Sequence, residues 1–517
     1  MLAIIGSGPN GLAAAFYLAR AGLKPVVFEA ADHVGGGAIT AELHPGFHVP
    51  ALSHELLLHA SIVRDMELRR HGFELLESEV DLCAPSTDGP PLVLYADARK
   101  TADGLRAIHA GDAEVWPRYR QAMTRAAHAL APLLTLPPPH IDAPSARDLW
   151  DLLGTGRRVR GLGARGMYDL LRWLPMPVYD FAHEWFTYER LRAVVAGPGV
   201  SGTRLGPRSA GSTLVALLRE AHAHLAGGRR LRVRGGPGAC TRAMAAAARA
   251  AGAEIRTGSR IERILIRDGR VTGVVTAGQE IAAARVLSAI DPKTTFLRLV
   301  DAADLAPEFL QKMRNYRAAG TVAKVNLALS GLPAFAGVSD SHVLTGRIHL
   351  GERLDDLERA YDHVKYGEMS ESPWLDVSIP SALDPSLAPA GAHVASVYVH
   401  NAPFRLASAT WGDAADTLRT RVLSMLERYA PGITRLVVEA QVITPEALER
   451  TYGTWGGHIF HGELAPDQLF AMRPFLGAGR YATPIEGLYL CGGGTHPGGF
   501  MTAASGRLGA LEALARS

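Results

Sequence analysis

The fold is decided by the opening stretch Leu2-Ala3-Ile4-Ile5-Gly6-Ser7-Gly8-Pro9-Asn10-Gly11-Leu12. It joins a short apolar run to a G-x-G-x-x-G motif, and an alanine-rich stretch to Ala21 follows it. A second apolar run, 26–28, then ends on Glu29. Strand, glycines, helix, strand and acid in this order are typical of a βαβ unit that binds a dinucleotide.

Each glycine of the motif has its own physical role. Gly6 permits the tight turn, Gly8 lets the backbone approach a pyrophosphate, and Gly11 lets the helix pack on the strand. The N-terminus of the helix offers free N–H groups and the positive end of its dipole to the phosphates. We therefore expect the whole loop to contact the cofactor, including the residues between the glycines, which are Ser7, Pro9 and Asn10.

Glu29 lies about 20 residues beyond the motif, where an acid binds the ribose hydroxyls. It would repel a 2′-phosphate, which favours FAD or NAD over NADP. After Glu29 and Ala30, the cluster Gly35-Gly36-Gly37 lets more backbone reach the cofactor. The nearest rival motif, Gly235-Gly236-Pro237-Gly238, has no ribose-binding acid after it. We therefore expect one flavin and no separate nicotinamide domain.

Composition indicates a soluble enzyme-like protein of two or three domains. The chain has 517 residues, of which 47% are hydrophobic and 20% charged, and its net charge of +3 is too small to suggest a nucleic-acid partner. The three cysteines, Cys83, Cys240 and Cys491, form no C-x-x-C and predict no redox dithiol. No leader peptide and no apolar run of about 18 residues is seen, so we expect a cytoplasmic protein.

Three further motifs accompany the first. They are Gly235-Gly236 before an alanine-rich helix, Arg260-Ile261-Glu262-Arg263-Ile264, and Cys491-Gly492-Gly493-Gly494-Thr495-His496-Pro497-Gly498-Gly499. Together with the opening motif they resemble the phytoene desaturase family, whose clan includes the amine oxidases. Within it, the stretches 206–211 and 460–464 resemble the branch of the pyridine nucleotide-disulfide oxidoreductase domain-containing protein 2. Many members carry a pyrophosphate-binding arginine where this chain has Gly37 and Ala38.

The resemblance implies an FAD site formed by residues that are distant in sequence. Ile261 would face the adenine, and Gly493 and Gly494 would approach the ribityl chain. The backbone of Phe500 and Met501 would approach the pyrimidine edge of the flavin, where the last helix begins and its dipole favours negative charge. Relatives usually have small residues at those two positions.

The pattern along the chain predicts an α/β protein with a discontinuous Rossmann-like FAD-binding domain. This domain comprises residues 1–80, 225–300 and 475–517. A largely helical segment, 81–224, and a mixed α+β substrate domain, 301–474, are inserted into it. A β-hairpin is predicted to turn at Asp268-Gly269.

Two residues are candidates for a catalytic role, and each has an alternative interpretation. Lys324 lies on the mixed face of a strand over 321–329, where a matching lysine of amine oxidases holds a water near flavin N5. It is otherwise an edge-strand lysine that faces solvent. His496 either lies near the flavin ring or stabilises a turn by hydrogen bonding.

Other polar clusters predict no site. We expect His458, His461 and Glu463 to belong to a strand or turn rather than to a metal centre. The irregularly spaced His44, His48, His54 and His59 are expected at the surface. The arginine-rich stretch 150–186 is either helical core with solvated arginines or a basic patch that touches a membrane.

The function expected from the resemblance is FAD-dependent dehydrogenation of an apolar, isoprenoid- or lipid-like substrate. With no dithiol and no nicotinamide site, the reduced cofactor would pass its electrons to oxygen, a quinone or another external acceptor. Three alternatives remain open at this point. They are an amine oxidase, a saturase that works in the reductive direction, and a flavin-bound regulatory protein with little turnover.

Overall fold

A computed structural model describes residues 1–53, 55–228 and 231–516. Its strands are β1 (Leu2–Ile5), β2 (Pro25–Phe28), β3 (Thr40–His44), β4 (Phe47–Pro50), β5 (Leu75–Glu77), β6 (Val80–Ala84), β7 (Leu92–Tyr95), β8 (Leu231–Val233), β9 (Glu254–Arg256), β10 (Ile261–Arg267), β11 (Arg270–Thr276), β12 (Gln279–Ala282), β13 (Arg285–Ser288), β14 (Val322–Leu329), β15 (Arg347–Leu350), β16 (Leu375–Ser378), β17 (His393–His400), β18 (Val437–Ile443) and β19 (Leu488–Leu490).

Short 3₁₀ turns and longer α-helices connect these strands. The α-helices are α1 (Pro9–Arg20), α2 (Ala60–Asp65), α3 (Ala98–Arg106), α4 (Ala110–Leu130), α5 (Ala146–Arg160), α6 (Gly163–Trp173), α7 (Val178–Trp185), α8 (Glu189–Val200), α9 (Ser212–Ala226), α10 (Gly236–Ala250), α11 (Pro292–Thr294), α12 (Pro307–Asn315), α13 (Leu354–Lys365), α14 (Trp411–Tyr429), α15 (Ile433–Leu436), α16 (Pro445–Tyr452) and α17 (Ala504–Ala515).

A five-stranded parallel sheet forms the centre of the dinucleotide fold, in the order β19-β13-β1-β2-β9. Residues of β1, β2, β13 and β19 are almost all buried, as a parallel sheet covered on both faces requires. Helices α1, α10 and α17 pack on one face, and the antiparallel sheet β10-β11-β12 covers the other. The predicted Rossmann-like α/β class is therefore confirmed.

The second sheet is mixed and has seven strands, in the order β18-β14-β17-β16-β15-β6-β7. Neighbouring strands in this sheet pair antiparallel, except for β15 and β6, which pair parallel to each other. The two strands β6 and β7 lie at the start of the segment 81–224 that we predicted to be largely helical, and α3 to α9 follow them. The predicted boundaries of the three domains stay predictions.

Local patterns locate most elements to within a few residues. The hairpin β10–β11 turns at Asp268 and Gly269, whose φ angles are 52° and 72°, as a two-residue turn with a left-handed backbone requires. The alanine-rich helix expected after Gly235-Gly236 is α10, which begins at Gly236 itself. Gly235 takes a left-handed conformation at its N-cap, and a proline in the first turn favours the helical backbone there.

Two findings concern what the fold does not contain. Across residues 1–53, 55–228 and 231–516, no helix is long and apolar enough to cross a membrane. In the same part of the chain, no three side chains of histidine, cysteine, aspartate or glutamate are grouped as metal ligands.

Candidate functional site

A cavity of about 650 Å³ opens at the carboxyl ends of β1 and β2, where ligands bind in open parallel sheets. Eleven of the fifteen predicted cofactor residues line it. They are Gly6, Gly8, Pro9, Asn10, Glu29, Ala30, Gly36, Gly37, Ile261, Gly493 and Met501. The fold thus brings four distant parts of the chain to one cavity.

The other four predicted residues, Ser7, Gly11, Gly494 and Phe500, do not line the cavity. Ser7 turns its hydroxyl towards Glu29, to which it donates a hydrogen bond of 2.7 Å. A Cβ on Gly11 would stand 2.0 Å from the carbonyl oxygen of Gly6, and one on Gly494 would stand 2.2 Å from a side-chain carbon of Pro292. These two glycines are therefore needed for close packing behind the cavity wall.

Three donors hold the Glu29 carboxylate in place. The N–H and hydroxyl of Ser7 both donate to Oε2, at 2.8 and 2.7 Å, and the N–H of Ala31 donates to Oε1 at 3.0 Å. The carboxylate is buried and borders the cavity. Because each carboxylate oxygen has two lone pairs, Glu29 keeps capacity to accept hydrogen bonds from ribose hydroxyls.

The donors around the cavity suit a dinucleotide. Helix α1 begins beside the cavity, its N-cap Gly8 offers no side-chain cap, and its first turn has no acidic residue, so its N-terminus can face an anion. His461 also lines the cavity, and its buried Nδ1 has no hydrogen-bond partner among the described residues. A buried polar atom of this kind calls for a polar group of a bound ligand. The residues present therefore fit FAD.

One side of the cavity is formed by residues that no sequence motif had assigned to the cofactor. It is formed by the segment 451–454 with Ile459, Phe460 and His461, from the end of α16 onwards. Arg260 and Arg298 also line the cavity, and they bring positive charge that Gly37 and Ala38 cannot supply. The one sequence signal for these groups was that Arg260 directly precedes Ile261, which was already expected to contact the cofactor.

The segment before α17 has an unusual backbone. Phe500, Met501 and Ala503 have φ angles of 54°, 52° and 61°, which non-glycine residues rarely adopt. The segment is held because the N–H groups of Leu57 and His59 donate to the carbonyl oxygens of Phe500 and Thr502. Helix α17 begins only at Ala504, so Phe500 and Met501 precede it rather than start it.

The side chains of these two residues point to different places. Met501 lines the cavity, whereas the ring of Phe500 packs at 5.0 Å from that of Phe460. The Arg219 guanidinium lies over the Phe500 ring at 4.8 Å, and Arg219 also donates a 3.0 Å hydrogen bond to Glu55. Large residues at these two positions therefore have defined partners in this chain.

Lys324 is buried on β14, the strand next to the edge strand β18 of the second sheet. Strand β14 lies between β18 and β17 and all of its residues are buried, so the interpretation of Lys324 as a solvent-facing edge residue is wrong. Its Nζ donates hydrogen bonds to the carbonyl oxygens of Pro50 and Leu52. Burial holds the pKa of this amine well below its ordinary value of 10.5.

Lys324 does not itself border the cavity, but one of its partners does. Leu52 lines the cavity and lies against Gly37, at which an added Cβ would stand 2.6 Å from a methyl group of Leu52. Lys324 thus reaches the cavity through the backbone of the segment 50–52.

His496 lies behind the cavity wall. Its Nε2–H donates a 2.7 Å hydrogen bond to the carbonyl oxygen of Leu133, and its ring stacks on that of Phe470 at 5.2 Å. Burial lowers the pKa of His496 to about 4, so the ring is neutral at physiological pH. The hydrogen bond joins His496 to a distant segment rather than to its own turn, and both the turn-stabilising role and the catalytic role stay predictions.

The remaining histidines lie in different environments. His458 and Glu463 form a buried pair at 3.4 Å, and the expectation that they do not belong to a metal centre stays a prediction. His59 is buried and lies 3.0 Å from a ring nitrogen of His222, so its expected surface position is wrong. His44 and His48 are partly exposed, and His54 lies outside the described residues.

Comparison with known proteins shows to which family this chain belongs. The family described as flavin containing amine oxidoreductase matches residues 186–510, and a NAD(P)-binding Rossmann-like domain matches residues 4–66. The chain belongs to the flavin containing amine oxidoreductase family. It is an FAD-dependent oxidoreductase, as the opening motif and the cavity had indicated.

Individual relatives confirm the predicted resemblance. The rat pyridine nucleotide-disulfide oxidoreductase domain-containing protein 2 is 35% identical, over 98% of this chain and 91% of its own length. A phytoene desaturase of Rhodobacter capsulatus is 26% identical, over 96% of this chain and 90% of its own length. A putrescine oxidase triple mutant shares the fold, with a TM-score of 0.62 and 17% identity over 100% of this chain and 99% of that chain.

We predict that Glu29→Gln weakens FAD binding by about tenfold, the equivalent of one charged hydrogen bond. The carboxylate accepts from Ser7 on one oxygen and from Ala31 on the other, so an amide must turn its NH₂ group against one of these donors. Equilibrium dialysis measures the FAD dissociation constant. Glu114→Gln, at an exposed position of α4, is the matched control, and equal affinity in both variants would contradict the assignment of Glu29.

We predict that Lys324→Met reduces the rise of stability with pH on the acid side of 10.5, the ordinary pKa of a lysine. Because burial lowers the pKa of the native amine, the native state loses its proton at a lower pH than the unfolded chain, so wild-type stability rises with pH. The difference in slope approaches about 1.4 kcal/mol per pH unit for one full proton. Urea unfolding of wild type, Lys324→Met and the exposed control Lys312→Met measures it, and parallel curves for all three would show that Lys324 is charged.

Proposed function

We propose that this oxidoreductase dehydrogenates an apolar, isoprenoid- or lipid-like substrate. The observation that carries the proposal is a second cavity of about 490 Å³, whose wall is mainly apolar. FAD supplies the acceptor for the hydride when it is bound. With FAD bound, formation of one C=C bond would break two C–H bonds of the substrate; the cofactor would accept the hydride, and the proton would pass to water.

Neighbouring residues of one segment of the chain line the apolar cavity and the FAD cavity. Pro50 and Leu56 line the apolar cavity, whereas Leu52, between them in sequence, lines the FAD cavity. A single loop therefore takes part in both walls. The apolar side chains of the second cavity include Leu58, Val63, Phe73, Leu75, Val233 and Leu387.

The protein's contribution to such a reaction is position and exclusion of water. We assign Lys324 as a positioning residue, because it donates to the carbonyl oxygens of Pro50 and Leu52 and so fixes the loop between the cavities. Burying an apolar substrate in the second cavity would remove water from both the substrate and the wall. The phytoene desaturase relative is named for a hydrocarbon substrate, which supports the proposal of an apolar substrate.

Reoxidation would require an external acceptor, such as oxygen or a quinone. Cys83, Cys240 and Cys491 are all buried and free, and burial raises the pKa of each thiol, so none of them is a ready redox partner. The acceptor is therefore proposed to be a separate molecule.

Peripheral membrane contact is a further part of the proposal. Helices α5 and α6 expose large apolar side chains, with Trp150 at 73%, Leu153 at 63% and Leu171 at 62% of their full surface. Arginines lie on the same helices, in the last turn of each. Apolar groups with neighbouring arginines suit the interface of an anionic membrane, from which an apolar substrate would be taken.

An amine oxidase is the second candidate, and one observation favours it. A charged cavity of about 450 Å³ shares Gly228 and Arg232 with the apolar one. Its wall includes the carboxylates of Glu55, Asp81 and Glu220, which could hold a cationic amine, but also several arginines. The balance of charge makes an amine the weaker alternative.

We predict that an apolar lipid extract, and not a polar metabolite extract, bleaches the FAD absorbance of the anaerobic protein. Leu56→Asp should abolish this bleaching because it places a charge in the apolar cavity, while dithionite still reduces the cofactor. Leu476→Asp, at a side chain that is 50% exposed, is the control.

Each other outcome favours a different function. Bleaching by the polar extract alone would overturn the apolar substrate and support the amine oxidase. Bleaching by neither extract, with normal reduction by dithionite, would leave a saturase or a regulatory flavoprotein.

We predict that the protein sediments with anionic phospholipid vesicles and that Trp150→Ser/Leu153→Ser/Leu171→Ser binds them at least about tenfold more weakly, since three apolar anchors are lost. Tyr366→Ser, at another exposed aromatic position, should bind like wild type. Unchanged binding of the triple variant would assign α5 and α6 no part in membrane contact.

A further inference from the structure

A fourth cavity is lined by residues that neighbour the wall of the FAD cavity in sequence. It is a cleft of about 660 Å³, to which Lys293 and Trp455 contribute. The residues next to them in sequence, Thr294 and Thr454, line the FAD cavity instead. The N–H of Trp455 also donates to Asp291, at 3.4 Å, and so joins the two parts of this wall. We call this cavity the basic cleft.

The basic cleft is strongly positive. Six basic side chains line it and a single carboxylate, that of Glu463, accompanies them. The six are Arg204, Lys293, Arg314, Arg317, Lys365 and Arg405. Glu463 is buried and already accepts from the N–H of Arg204, at 2.9 Å, and pairs with His458. Six cations therefore share one carboxylate.

Four of the six cations have no carboxylate partner among residues 1–53, 55–228 and 231–516. Arg317 is paired with Asp467, and Lys365 with Asp362. Arg204, Arg314 and Arg405 make no ion pair in that part of the chain, and all three are exposed.

Lys293 is the fourth unpaired cation and is only partly exposed. Its Nζ donates to the carbonyl oxygen of Arg314 at 2.8 Å, and burial lowers its pKa. Like charges that converge on a concave surface repel one another and raise the local concentration of anions. The cleft is therefore a surface that attracts anions.

Aromatic side chains accompany the cations. Trp455 is partly exposed, and the Arg298 guanidinium lies over its ring at 4.5 Å. Phe404 is also partly exposed at the edge of the cleft, and its backbone is held by a hydrogen bond to the carbonyl oxygen of Gly320. A flat apolar ring next to arginines can stack on the base of a nucleotide while the arginines bind its phosphates.

We propose that the basic cleft binds a phosphorylated small molecule of nucleotide size, separate from FAD. Arginine presents a planar pair of donors that matches phosphate oxygens, and three arginines of the cleft are free to do so. The volume of the cleft falls within the roughly 300–1,000 Å³ of small-molecule sites. The proposal stands independently of the substrate that the enzyme oxidises.

The test uses the FAD-saturated protein and isothermal titration calorimetry with inorganic pyrophosphate. We expect one site per chain, and binding about tenfold weaker in each of Arg314→Ala and Arg405→Ala, the loss expected for one charged hydrogen bond. Arg249→Ala, an exposed arginine of α10, is the matched control and should bind like wild type.

ADP is the second probe, and it tests the aromatic side of the cleft. It should bind more tightly than pyrophosphate to wild type, and Phe404→Leu should remove this preference. The flavin absorbance must stay constant during the titration, which shows that ADP does not enter the FAD cavity.

Vesicles of phosphatidylcholine with phosphatidic acid distinguish a lipid headgroup from a free phosphate. Binding of such vesicles that needs Arg314 and Arg405, without binding of pyrophosphate or ADP, would overturn the small-molecule ligand in favour of a headgroup. The absence of binding by pyrophosphate, ADP and the vesicles alike, or equal binding by wild type and the two arginine variants, would overturn the site itself.

Discussion

Helix α1 approaches strand β1 so closely that a Cβ on Gly11 would stand 2.0 Å from the carbonyl oxygen of Gly6. Only glycine permits this approach, and it directs the helix N-terminus to the end of the sheet. Helix α17 approaches helix α1 equally closely, since a Cβ on Gly506 would stand 1.9 Å from the carbonyl oxygen of Asn10. The first and last helices are thereby locked together behind the FAD cavity, and the inserted segments are arranged around this unit.

The loop after β4 connects that unit to the rest of the molecule. Leu52 borders the FAD cavity, Glu55 the charged cavity, and Leu56 the apolar cavity. Lys324, from the interior strand β14 of the second sheet, donates hydrogen bonds to the backbone at residues 50 and 52. These two hydrogen bonds offset part of the cost of burying a lysine.

Sequence analysis succeeded where short-range patterns decide the structure. The turn at Asp268-Gly269 acts through backbone geometry and was located correctly. The glycines Gly6 and Gly8 and the acid Glu29 line one cavity, and their contacts to the cofactor stay predictions. Sequence analysis failed for groups whose role depends on distant contacts. The solvent-facing alternative for Lys324 was wrong because strand order, which decides what is an edge, is not written in the alternation of a single strand.

The sequence by itself determined the cofactor class and the nucleus of the fold, because a turn, a close helix approach and a ribose acid all lie within about 30 residues of one another. Only the tertiary structure decided the far wall of the FAD cavity and the partners of Lys324. It also decided the grouping of Arg204, Arg314 and Arg405 around one cleft. These features join residues more than 100 positions apart, and no local pattern records which distant segments the packing brings together.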